Sequence, residues 1–176
     1  MKHYSKRMVI VHWLTLALLV AAWFLGEELA EATDASKATL AGYIVHASVG
    51  GIIMLLALSQ LYFRRKDGTP PKLPDVPMYQ MSAKFIHNLI YTVLIVLPVS
   101  GMVTVFSSDA GKALLAGNAS LLPKEHGYEK VFAHEVHEQL VTVLIVLAVL
   151  HIAGALKHQF IMKDGLMSRM WLGKKD

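Results

Sequence analysis

Four long apolar stretches alternate with polar segments along the chain, at roughly Met8–Leu25, Leu40–Phe63, Phe85–Phe106 and Phe132–Leu156. Each falls within the about 17–25 apolar residues that carry a helix across a bilayer. The pattern predicts an all-α membrane protein, a bundle of four transmembrane helices forming one integral-membrane domain over residues 1–176. The first stretch follows Lys2, Lys6 and Arg7, and Ala30-Glu31-Ala32 imitates a leader cleavage site. A leader's apolar region runs to about 7–15 residues. This one is longer and is interrupted by His12, so it reads as a retained helix.

The polar segments are equally readable. Gly26 is expected to close the first span before the acidic segment Glu27–Thr39, and Arg64-Arg65-Lys66 anchors the end of the second. Four prolines between Gly68 and Pro77 predict an extended link. Pro98 predicts a kink in the third span. The longest connection, Ser107–Val131, carries Leu114-Leu115 and Leu121-Leu122 among charges, the pattern of a short helix lying on the membrane surface. The last stretch of chain is basic and amphipathic, with Trp171 as an interface anchor.

Charge then fixes an orientation. With the N-terminus inside, 13 of the 17 Lys and Arg residues lie in inner segments, which carry +9 against −5 outside. This excess is the positive-inside signature, and it places both termini in the cytoplasm. Sidedness accounts for the basic balance without a nucleic-acid partner. The absence of cysteine excludes disulfides, iron–sulfur clusters and the C-x-x-C-H attachment of a c-type haem.

Nine histidines carry the candidate chemistry. His137 and His151 are fourteen residues apart in the fourth span, so they leave one helix face roughly 40° apart and about 21 Å apart along the axis. Ionisable residues inside a span are functional candidates by default. The first span runs outward and the second and fourth inward, so His12 lies near the inner surface and His46 near the outer. Levels therefore match as His46 with His137 outside and His12 with His151 inside, each a bis-histidine site for a haem iron. Imidazole suits haem iron, and two axial ligands leave no open position for oxygen. Such a centre passes single electrons. Zinc sites want four ligands, usually including cysteine or carboxylate, which neither level offers. Gly42, Gly50, Gly51, Gly101 and Gly154 either make room for a flat macrocycle or permit close helix packing.

His158 lies seven residues beyond His151, about 20° round the same face, and His87 lies just inside the third span. Both are expected at the inner interface, too shallow to pair with His151, where they would flank a quinone headgroup with Ser82, Lys72 and Lys84 nearby. His3, His126 and His134 read as surface residues.

Several of these residues stand in a recognisable order: His12-Trp13, His46, His87-Asn88-Leu89-Ile90-Tyr91, Leu97-Pro98-Val99-Ser100-Gly101, His137-Glu138, His151, and His158 followed by Lys163-Asp164. In that order and spacing the chain resembles the bacterial cytochrome b-561 proteins, a family that includes a membrane-bound superoxide oxidase. The resemblance covers essentially the whole chain. It implies a di-haem b protein of the bacterial inner (cytoplasmic) membrane, with His12–His151 holding the inner iron and His46–His137 the outer. It further implies that superoxide gives single electrons at the periplasmic face. Ubiquinone would be reduced near the cytoplasmic face, in a region matching His87, His158 and Ser82. Two superoxides would leave as two oxygens, and two electrons with two protons would make one quinol.

The net charge of the outer segments opposes approach of an anion, unless Lys112, Lys124 and Lys130 converge into a local positive funnel. The alternative function is an electron-transfer cytochrome b subunit relaying electrons between a partner dehydrogenase and quinone. A histidine-lined carrier of metal ions or protons is the non-redox alternative.

Overall fold

The computed structural model describes residues 3–31, 40–71, 77–122 and 131–172, and every regular element among them is helical. Four helices are long and apolar enough to cross a membrane: α1 (Lys6–Glu31), α2 (Leu40–Asp67), α3 (Pro77–Phe106) and α5 (Phe132–Leu156), which a π-turn continues through Lys157–Met162. A short α4 (Asp109–Ala116) sits between α3 and α5.

The four spans lie where hydropathy places them, but three run further. α1 continues past Gly26 to Glu31, α2 past Phe63 to Asp67, and α3 begins at Pro77 rather than Phe85. A helix ends where its last backbone groups find other partners, not where its side chains cease to be apolar. Proline is tolerated at a helix start because the N–H it lacks would go unpaired there. Pro98 stands inside α3, and its ring packs against α2 where a Cβ on Gly50 would come within 3.8 Å. Of the proline-rich link, residues 68–71 are non-helical and residues 72–76 lie outside the described residues.

α3 packs most extensively on α5, α1 on α2, and α2 on α3. The pairs α1/α5 and α2/α5 approach each other less closely, and these are the pairs whose histidines face one another. Ile53, Ala57, Val93, Leu94, Leu144 and Leu147 form the buried centre, with Leu18, Leu19, Leu89 and Leu140 against it. On α5 this layer falls between His137 and His151. Within the bundle Gln60 and Thr15 are both buried, yet each is satisfied. The Gln60 amide donates to Thr15 Oγ1 at 2.8 Å, and Thr15 donates to the Val11 carbonyl at 2.7 Å. Paired polar groups of this kind hold membrane helices together. Large apolar side chains such as Phe24, Leu55, Phe85, Val149 and Ile152 face outward, as a lipid-facing surface requires.

α4 is the short helix expected in the long connection. Its Ala110, Gly111 and Ala113 face is buried against Leu122, Leu40 and Tyr43, while Leu115 is exposed. Gly111 permits the contact with the end of α3, since a Cβ there would meet the Val105 carbonyl oxygen at 2.6 Å. At the other end of the bundle the C-terminal segment folds back across α1. Tyr4 N–H donates to the Arg169 carbonyl at 3.1 Å and Trp13 Nε1–H to the Met170 carbonyl at 2.9 Å. Trp171 is exposed and sets its ring 6.4 Å from that of Trp13. Arg169 reaches the Pro71 carbonyl at 2.6 Å. Arg7 also pairs with Asp67, tying the start of α1 to the end of α2.

Candidate functional site

The bundle brings the four span histidines together as two facing pairs. His46 on α2 and His137 on α5 have ring centroids 6.3 Å apart with planes at 69°. His12 on α1 and His151 on α5 repeat this at 6.3 Å and 64°. Imidazoles on opposite sides of one metal ion, each bonded at about 2.0 Å through a nitrogen roughly 1.1–1.2 Å from its ring centre, have centroids roughly 6.2–6.4 Å apart. Both pairs therefore have the spacing of a bis-imidazole site. Among the described residues no group of three or more His, Asp and Glu is placed to hold one metal ion together. The donor set is thus two imidazoles per level, which fits an ion whose other ligands come from a macrocycle.

The surroundings of the pairs orient the rings. His137 Nδ1–H donates to the Leu97 carbonyl at 3.0 Å, with Ser100 Oγ 3.1 Å away. Ser100 itself is buried and donates to the same carbonyl at 2.7 Å. A carbonyl can only accept, so Nδ1 carries the proton and Nε2 keeps its lone pair for a metal. Gly101, in the next position, makes room for the ring: a Cβ there would lie 3.0 Å from His137 Cε1. On the partner side, His46 Nδ1 is buried and leans toward the Ala22 carbonyl without completing a hydrogen bond to it. Gly26 lies beneath this ring, where a Cβ would come within 3.3 Å of His46 Cε1. That contact explains why a glycine occurs inside α1 rather than at its end.

Ser100 gives a first expected result. Outer partners of metal-bound histidines are commonly worth about 10–100-fold in affinity. Since Leu97 still accepts from Nδ1, Ser100→Ala should fall near the low end, weakening haem at this level about tenfold. Titration of haem into apoprotein measures it.

The third histidine at the His12/His151 level is His87. Its ring centroid lies 4.9 Å from that of His151, and its Nδ1–H donates to the Ala83 carbonyl at 2.6 Å. The sequence places His87 in the shallow interface, but α3 starts at Pro77, so His87 stands ten residues into the helix, about 15 Å from its start. The distance to His151 is too short for an ion between them, so His87 lies beside the pair rather than within it. Ser82, five residues earlier on α3, is exposed and about 140° round the helix from His87. His158 sits in the π-turn with Nδ1 2.5 Å from Asp164 Oδ2. His3 Nδ1 lies 3.1 Å from the Ser168 carbonyl, and His134 pairs with Glu138 at 3.4 Å. His126 lies outside the described residues, as do Lys72, Lys124 and Lys130. Lys112 is paired with Asp109 at 2.6 Å, both exposed, so its charge is offset locally.

The profile of prokaryotic cytochrome b561 matches residues 3–173. The chain belongs to this family. Cytochrome b561 homolog 1 of Escherichia coli K12 is 27% identical over 99% of this chain and all of its own length. A Yersinia pestis protein named probable superoxide oxidase CybB is 26% identical over 99% of this chain and 98% of its own. Cytochrome b561 homolog 2 of E. coli K12 is 31% identical over 74% of this chain and 70% of its own. As a cytochrome b561 with four membrane-spanning helices, the chain is a multi-pass bacterial membrane protein of electron transfer that binds haem b.

Leu97, Ser100 and Asp164 were not singled out by chemistry at the level of sequence. Their only signal there was membership of the Leu-Pro-Val-Ser-Gly run and of the Lys-Asp pair after His158.

Proposed function

We propose that this single-domain cytochrome holds two haems b, one on His46 and His137 and one on His12 and His151. It moves single electrons from a periplasmic donor, superoxide, to ubiquinone at the cytoplasmic end. The observation that carries this reading is the pair of facing imidazoles, each 6.3 Å apart, on either side of an apolar layer. Haem would supply reversible one-electron chemistry at each level. The chain's own part is to orient the rings through Leu97 and Ser100 and to keep water from the layer between. Positive-inside sorting puts the chain termini in the cytoplasm. His87, beside the His12/His151 pair, with His158 and Ser82 at the same end, serves the quinone. The likeness to a protein named as a superoxide oxidase supports the choice of donor.

A second reading is favoured by the Lys112–Asp109 pair, which removes one of the charges that would draw in an anion. In it the chain relays electrons from a partner dehydrogenase.

A reduced-minus-oxidised visible spectrum of the purified chain, with haem per chain quantified, tests both. Two b-type haems are expected, reduced by superoxide alone and reoxidised by ubiquinone. Fewer than two overturns the pairing. Two haems that superoxide leaves oxidised would replace the first reading with the second.

A further inference from the structure

Apart from the stacked histidines, a second group of titratable side chains gathers where α5 ends. His158 Nδ1 is 2.5 Å from Asp164 Oδ2, and Asp164 Oδ1 accepts the Leu166 N–H at 3.0 Å. In a regular helix, side chains six residues apart point about 240° away from each other. The pair forms because the backbone departs from that geometry. The wider π-turn Lys157–Met162 underwinds the exit from α5, and Lys163 follows in the left-handed region at φ 51°. Glycine accounts for that region at Gly165, with φ 76°, whereas lysine occupies it against its preference. π-turns and such backbone positions recur at functional sites.

Both side chains are mostly covered yet reachable by water, at 16% and 19% exposure. Burial works against the Asp164 charge. The hydrogen bonds from His158 and Leu166, with the Arg169 charge nearby, outweigh it and hold the carboxyl below its ordinary range. Asp164 is therefore an anion near neutral pH, with both oxygens engaged. An anionic acceptor at Nδ1 requires the proton on Nδ1 and leaves Nε2 as the exchangeable position. Lys157 and Lys163 bracket the turn, and His3 binds the Ser168 carbonyl across it.

We propose that Asp164 is a positioning residue for quinone reduction, fixing His158 as its Nδ1–H form so that Nε2 delivers protons to the quinone oxygens. The proposal rests on the reading above that His158 serves the quinone. The quinone takes two electrons, one from each of two donor molecules. For each carbonyl oxygen, the Nε2–H bond of protonated His158 breaks as an O–H bond forms. His158 returns to its neutral Nδ1–H form and is reprotonated from water between the two transfers. Asp164 keeps its charge throughout and steadies the imidazolium.

Two measurements on the haem-loaded full chain in lipid nanodiscs test this. Nitrogen-15 histidine NMR should find neutral His158 as the Nδ1–H tautomer, and Asp164→Ala should shift it toward Nε2–H. Stopped-flow reoxidation by ubiquinone should slow at least tenfold in Asp164→Ala, with quinone KM within threefold and haem content unchanged, and Asp164→Glu should recover most of the rate. A native Nε2–H tautomer overturns the proposal whether or not the variant folds. So does an unchanged Asp164→Ala rate when His158→Gln is slow. An unchanged His158→Gln rate removes the quinone-site reading itself.

Discussion

His151→Ala is expected to lower haem from two per chain to one and to stop electron flow to quinone. His151 faces His12 at 6.3 Å and touches His87 at 4.9 Å, so its loss empties the centre of the cluster at that end. His12 cannot hold a six-coordinate iron alone. His87 is not a ready substitute, because its Nδ1–H is bound to Ala83 on its own helix. The His46/His137 pair sits roughly 21 Å away along α5 and should keep its haem. Quinone reduction should fall to background, since the remaining haem has lost its path to the acceptor. The haem-to-chain ratio and stopped-flow absorbance read this directly, and two retained haems would refute the ligand assignment.

Gly101→Val should do the converse. A Cβ at Gly101 already lies 3.0 Å from His137 Cε1 and 3.2 Å from Nδ1, closer than packed atoms sit, and valine adds two methyl groups. The ring cannot simply retreat. Its Nδ1–H is tied to Leu97 on the same helix, and moving away from α3 carries it into the space between His137 and His46. The expected outcome is loss of the His46/His137 haem with the other retained, leaving one haem per chain. Equal haem in Gly101→Val and the native chain would show that the ring has room to spare.

Much of this architecture was legible in the chain. Hydropathy placed the four spans because a bilayer demands long apolar helices. The alternating direction of those helices, with the 3.6-residue repeat, puts the histidines at two levels. What escaped was whatever depends on the backbone rather than on side-chain pattern. The depth of His87 was misjudged because α3 begins among polar residues at Pro77, where hydropathy carries no signal. The acceptor for His137 is the Leu97 carbonyl, and a main-chain oxygen leaves no mark in a sequence. Asp164 escaped for a different reason: helical spacing turns it away from His158, and only the π-turn with left-handed Lys163 brings it back. Gly26 read as a helix end, since its contact with His46 lies across two helices.

The apolar layer between the two histidine levels has an energetic consequence for the cell. In the proposed function electrons cross it between the two levels, and the apolar side chains that form it carry no group that could move a proton with them. Each electron entering at the His46/His137 end would therefore move an uncompensated negative charge toward the His12/His151 end, where the protons for the quinol would be taken up. Crossing the full membrane against a potential of 100 mV, negative on the receiving side, costs about 2.3 kcal/mol per charge. Oxidising a donor outside would thus charge the membrane in the same sense as respiration. A fully energised membrane would in turn hold the reaction back, making the membrane voltage a brake on this cytochrome.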